Sequence, residues 1–144
     1  MPKAPATRVA GAGVTNAIAA MLRALCVGSA DLHPSTHTGP KRLGDFNPPL
    51  PPNADSHTDT DTEGSDAGGW RFAGRNRHFG VRAHAMGAVV NGLAAHGFIG
   101  HGAAFPIVSD CRRPLISLAA LMGLHVGHVF THRSPARARF RGWS

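Results

Sequence analysis

The stretch FIGHGAAFPIVSDCRRPLISLAALMGLHVGHVF, residues 98–130, decides the fold class. Phe98 to Val108 is short and apolar with several glycines, which predicts a strand followed by a turn. Ser109 and Asp110 then offer helix N-cap oxygens, and Pro114 is compatible with a helix only in its first turn. Leu115, Leu118, Ala119 and Met122 recur at helical spacing until Gly123 ends the stripe. His125 to Phe130 reads as a second buried strand.

The same alternation continues upstream. Met86, Val89, Val90, Leu93 and Gly97 sit at helical spacing across residues 82–97. Residues 9–25 read as an amphipathic helix with the stripe Val14, Ile18, Met21, Leu22 and Leu25. Leu25 to Val27 is a short apolar run before Gly28 and Ser29, and predicts a buried strand. Ser29 to Phe46 is loop-like, with Pro34, Gly39, Pro40 and Gly44. Residues 47–69 are low in complexity: prolines, then alternating Asp and Thr, then glycines, a composition that predicts a disordered insert. Order is expected to resume near Trp70. Helices alternating with short apolar strands predict an α/β fold, a parallel sheet flanked by helices.

Length and charge narrow the reading. A chain of 144 residues has room for one domain. The net charge of +7 suggests a polyanion partner until it is placed along the chain. Residues 1–44 carry +4, residues 45–66 carry −6, residues 67–132 carry +5 and residues 133–144 carry +4. No single basic face emerges, so nucleic acid is set aside as a partner, although the tail does mix four arginines with Phe140 and Trp143. Cys26 and Cys111 form neither a disulfide framework nor a CxxC metal site, and read as buried free thiols in a reducing, cytoplasmic setting. No signal peptide or membrane span is visible.

Ten histidines raise the question of metal. His33 and His37 fall on a Pro-containing loop, and His125, His128 and His132 fall on a predicted strand where an offset of three points to opposite faces. No metal site is expected. A P-loop, a GxGxxG after a strand and a GxSxG elbow are absent, and outside the insert only Asp31, Asp45 and Asp110 could serve in acid–base work.

A series of short motifs, in order, supplies more. Ala6-Thr-Arg8, Gly28-Ser-Ala-Asp-Leu32 with Pro34-Ser35, Lys41-Arg-Leu-Gly-Asp-Phe46 and Gly74-Arg-Asn-Arg-His-Phe-Gly-Val-Arg82 open it. His84-Ala-Met-Gly87, Asn91-Gly92, His96-Gly97, Arg113-Pro114, Leu118-Ala-Ala-Leu-Met-Gly123 and Val129-Phe-Thr-His132 complete it. Together they resemble transketolase over residues 6–46 and 70–132, in the first part of the family's central, pyrimidine-binding domain. The resemblance implies one domain interrupted by an insert, residues 1–46 and 70–132 on either side of 47–69, with a basic tail at 133–144 outside the family pattern.

It also implies chemistry: ketol transfer between sugar phosphates, the reaction of pentose phosphate metabolism, with thiamine diphosphate and magnesium. Arg8, Ser35 and His132 match positions that bind the substrate phosphate. Asp31 matches an acid near the cofactor and the subunit interface, and Phe105 an aromatic residue on the aminopyrimidine ring. Val108 and Cys111 stand at two further ring-packing positions that are aromatic in the family.

One departure outweighs these matches. The family's Val-Arg-Glu-His-Ala-Met reads Val81-Arg82-Ala83-His84-Ala85-Met86, so a methyl group stands where the family's proton-exchanging Glu would be. The family's diphosphate-binding domain and C-terminal domain have no equivalent in these residues. After His132 the family's acidic, Gly-rich loop gives way to Arg133-Ser-Pro-Ala-Arg-Ala-Arg, the form a frameshift in GC-rich DNA would give. The expectation is a truncated, degenerate pyrimidine-binding domain, inactive by itself. The alternative is a binding module that docks on a full transketolase subunit or on a second copy of itself.

Overall fold

The structure is a computed structural model that describes residues 6–30, 36–49 and 70–131. Strand β1 (Leu25–Ser29) is buried along its whole length. It pairs with β4 (Asn76–His78) on one side and β5 (Ile99–Ala104) on the other. A strand paired on both edges and covered on both faces is apolar throughout, which is why Leu25 to Val27 stands out in the sequence. With β2 (Asp45–Phe46), β3 (Trp70–Arg71) and β6 (Val126–Phe130), the sheet has six strands in the order β3-β2-β4-β1-β5-β6. Every pairing is parallel. β2 comes before residues 50–69 yet lies between β3 and β4, which come after them, so both sides of the chain build one sheet. The expected disordered insert and the basic tail lie almost wholly outside the described residues.

Three strands were not legible. β2, β3 and β4 have two or three residues each, too few for any period to show, and β2 falls in the segment read as loop. Polar ties set them in place. The fully buried Asp45 carboxylate lies 3.1 Å from His78 Nε2, and Asn76 Nδ2 donates to the Pro40 carbonyl at 3.3 Å. Gly74 lets the chain pass here, since a Cβ at that position would sit 2.3 Å from the Asp45 backbone.

Helix α1 (Thr7–Met21) corrects an expectation. Its apolar stripe faces out: Val14, Ile18, Met21 and Leu22 are exposed, while Thr15 and Ala19 are buried. Hydrogen bonds to other segments choose the face. Asn16 Oδ1 accepts from the Lys41 backbone N–H at 2.8 Å, and the Arg75 guanidinium donates to the carbonyls of Ala19 and Leu22 at the helix end. A cation at a helix C-terminus satisfies carbonyls that have no intrahelical donor. Ala19 then packs with Leu25 and Val27, beside Leu43 and Ile99.

Helices α2 (Ala83–Ala95) and α3 (Arg113–Leu121) flank the sheet on the side of the second cluster, Ala30, Met86, Val90 and Ala104. Met86 and Val90 are buried as expected, while Val89 is exposed; Gly97, at φ +85°, follows the helix. Gly100 allows close approach, because a Cβ there would lie 2.4 Å from the Val90 carbonyl oxygen. In α3, Leu115 and Ala119 are buried but Leu118 and Met122 are exposed, and Gly123 ends the turn at φ +62°. Ser109 and Asp110 do not cap it. Ser109 lies between two short 3-10 turns, Pro106–Val108 and Asp110–Arg112, Asp110 opens the second, and α3 starts at Arg113 with Pro114 in its first turn. β6 is half-buried rather than buried, because it forms the sheet's edge. Among the described residues no helix is long and apolar enough to cross a membrane.

Candidate functional site

In a parallel sheet the strand ends and the starts of the helices meet at one edge, where open α/β sheets take ligands. Ala30 follows β1, Phe105 follows β5 and Thr131 follows β6, while Arg8 and Ala83 lie in the first turns of α1 and α2. These five residues are the candidate site. The sheet divides it into two halves of different character.

On the α1 face lies a cleft of about 320 Å³, lined in part by Arg8, Thr15, Thr38, His101 and Thr131. Arg8 Nε, His101 Nε2 and Thr131 Oγ1 are each removed from water without a hydrogen-bond partner. A buried polar atom left unpaired costs on the order of 1–3 kcal/mol, so three around one opening mark a place shaped for something polar. Burial holds the His101 imidazole below its usual pKa, and the positive charge of Arg112 adds to the effect.

On the other face the half-site is apolar. Ala83, Phe79 and Val108 pack on the cluster of Ala30, Met86, Val90 and Ala104. Phe105 is half-buried at the start of the turn after β5. Cys111 is exposed, not buried as its apolar surroundings suggested; Cys26 is buried. The His84 ring donates from Nδ1 to the Cys111 carbonyl at 2.7 Å, which holds the turn against the start of α2.

Arg112 is the residue that sequence reasoning missed. Its side chain is fully buried, donates through Nη2 to the Gly102 carbonyl (3.1 Å) and to His128 Nδ1 (2.6 Å), and lies 5.0 Å from the Phe130 ring centroid. Its Nε and Nη1 have no partner. Burial pushes the guanidinium below its ordinary pKa. Because Arg112 can only donate, His128 accepts at Nδ1 and is held neutral; its pKa is lowered by burial and then by the charge of Arg112. The available signal was a cation between two apolar elements with no acid nearby except Asp110, which is exposed and turned to Arg113.

Of the residues expected in the site, Arg8 lines the cleft, Val108 and Ala83 pack on the apolar cluster, and Phe105 is half-buried directly after β5. Asp31, Ser35 and His132 lie outside the described residues. Among the described residues no group of three His, Cys, Asp or Glu could hold a metal ion.

The family model of the transketolase pyrimidine-binding domain matches residues 3–138. The chain belongs to this family. The transketolase of Dictyostelium discoideum is 43% identical over 130 residues, covering 90% of this chain and 16% of that protein. That of Geobacillus stearothermophilus is 44% identical over 135 residues, covering 93% and 17%. Among solved structures, the transketolase of Campylobacter jejuni superposes with a TM-score of 0.69 at 34% identity, over 88% of this chain and 16% of that one. A Pichia stipitis transketolase in complex with sedoheptulose-7-phosphate gives 0.68 at 30% identity, over 88% and 17%. The chain thus spans about a sixth of the transketolases it matches, and its parallel sheet is the fold of the family's pyrimidine-binding domain. The family match also runs past His132 to residue 138, further than the motif series does.

Proposed function

We propose that the chain is a transketolase-type pyrimidine-binding unit that retains a surface for sugar phosphates but does not by itself activate thiamine diphosphate. One observation carries this reading: Ala83, at the start of α2, packs half-buried on an apolar cluster with no carboxylate beside it among the described residues. The described acids are engaged elsewhere, Asp45 with His78 and Asp110 with Arg113.

Thiamine diphosphate is the family's cofactor, and its ring would meet the apolar half formed by Phe105 and Val108, with Asp31 nearby by resemblance. The residues present do not fit the proton exchange that the aminopyrimidine requires. A methyl group can neither hold nor accept a proton, and losing a positioned proton-transfer group costs about 10²–10⁴ in rate. Diphosphate and magnesium would have to be held by residues other than those described here. Sugar phosphates remain the ligands of choice for the opposite half, where Arg8 offers a guanidinium fork and Ser35 and His132 follow by resemblance. The setting is that of the family's cytoplasmic sugar metabolism.

The test is ketol transfer by the purified chain with thiamine diphosphate, magnesium and a ketose phosphate, in parallel with Ala83→Glu. The chain is expected to be silent, with calorimetric binding of the cofactor appearing or strengthening in Ala83→Glu. Robust transfer by the unaltered chain would sink the proposal. A second reading, docking on a full transketolase subunit or on another copy, is favoured by the exposed Val14, Ile18, Met21 and Leu22 on α1. Sedimentation that shows only monomer, with and without the full enzyme, would remove it.

A further inference from the structure

Two histidines hold the turn after β5, and they make opposite demands on a proton. His84, in the first turn of α2, bonds through Nδ1 to the Cys111 carbonyl at 2.7 Å. A carbonyl only accepts, so this ring donates, and a second proton on it leaves the bond intact. His128, in the middle of β6, bonds through Nδ1 to Arg112 Nη2 at 2.6 Å. A guanidinium only donates, so this ring accepts, and it accepts only while Nδ1 is bare. A proton there sets two donors and two positive charges against each other, one of them on a side chain with no exposed surface.

The surroundings offer no compensation. Among titratable groups, α2 brings only His84 and α3 only Arg113. β5 brings only His101, whose ring lines the cleft on the opposite face of the sheet. In the turn itself Cys111 is exposed, and Asp110 is exposed and paired with Arg113 at 3.5 Å. Asp45, the other described acid, is held by His78. Arg112 has no second seat inside the core. Its Nε and Nη1 already lack partners, and a Cβ on Gly102 would lie 3.1 Å from Nη2, with Met86 and Val90 close by. A guanidinium that loses His128 has to move toward water.

We propose that the Arg112–His128 contact is a proton-operated latch: neutral His128 holds the turn of residues 106–112 against β6, and a proton on its Nδ1 releases Arg112, so that the turn swings out about the His84–Cys111 bond. The turn moves and β6 stays because their anchors differ. β6 keeps five in-register residue pairs with β5. The turn's own backbone bonds are local, from the N–H of Val108, Ser109 and Arg112 to the carbonyls of Phe105, Pro106 and Ser109, and Pro106, Ile107 and Asp110 are exposed. Burial, and then the charge of Arg112, hold the His128 pKa below its ordinary value. The closed state thus binds fewer protons than the open one, and the latch is shut near neutral pH and opens as pH falls below about 6.5. The latch stands apart from the function proposed above: it needs no ligand, and it acts on the turn that carries Val108 and Cys111.

Amide hydrogen exchange of the full chain, followed by NMR and corrected for intrinsic rates, tests the latch. The Ser109 and Arg112 amides should be less protected than those of β1. Their protection should fall with pH below about 6.5, by as much as about tenfold per pH unit, the limit for one proton. His128→Gln keeps an acceptor for Arg112 but cannot titrate, and should flatten that slope. A slope that persists in His128→Gln, or turn amides as well protected as those of β1 at every pH, would overturn the proposal. The unaltered chain gives a second reading that no substitution can disturb. The ring nitrogen shifts of His128 near neutral pH should show a bare Nδ1 and a proton on Nε2, and the Arg112 signals should change as His128 titrates. A proton on Nδ1 at neutral pH, or a His128 that titrates while Arg112 stays unchanged, would overturn it as well.

Discussion

Helices α1 and α2 lie on opposite faces of one sheet and treat their side chains in opposite ways. α2 buries Met86 and Val90 against Ala30 and Ala104, a dry contact that draws stability from apolar area. α1 buries Thr15 and Ala19, keeps its large apolar side chains in solvent and is fastened by polar ties from Asn16 and Arg75. Two stripes along α1 share the same helical offsets: Val14, Ile18, Met21 and the capping Leu22, and Arg8, Ala12, Thr15 and Asn16. Periodicity identifies a helix equally well from either. It does not say which stripe faces in when the available neighbours are carbonyls, a backbone N–H and a cleft.

Substitutions should separate the two faces. Met86→Ala removes a fully buried side chain from the α2 face and should cost about 2–5 kcal/mol in denaturant unfolding. Arg112→Met, on the same face, should stabilise the chain by about 1–4 kcal/mol, since it removes a buried cation with two unpaired nitrogens and leaves an apolar side chain in its place. A loss of stability in this variant would show that the bonds to Gly102 and His128 outweigh desolvation.

The third effect is graded. His101 and His128 both have lowered pKa values in the fold, so below about pH 6.5, the ordinary histidine value, the unfolded chain binds more protons than the folded one. Stability should therefore hold near neutral pH and fall as pH drops from there toward the folded-state values. In Arg112→Met the fall should be shallower, because one of its two causes is gone. Thermal midpoints at several pH values check both slopes. The smallest effect belongs to the outer face of α1: Met21→Ser should change stability by no more than about 0.5 kcal/mol. A larger loss would mean that this face is covered in solution.

The long, periodic elements were legible: β1, α2, β5, α3 and β6 all lie where apolar runs, stripes and glycine stops put them. The site was legible only in parts. Arg8 and Ala83 were reached through motif resemblance, whereas the cleft depends on His101 and Thr131 meeting Arg8 across strands, a neighbourhood that no linear spacing encodes. Arg112 was hidden for a related reason. Nothing in Cys111-Arg-Arg-Pro114 marks which arginine turns inward, and the 3-10 turns after β5 carry Arg112 inside and leave Arg113 outside.

The strand order also bears on how the chain acquires its structure in time. β1 and β2 leave the ribosome first, but they do not pair with each other; β4 stands between them and β3 and β5 complete their outer edges. All three partners come from beyond residue 69. The amino-terminal third therefore has no sheet to join until the rest has been made, and its pairings close long loops at the outset. Apolar β1, the future centre, is the segment that waits longest with both edges open, which makes it the point where chaperones or aggregation would compete with folding.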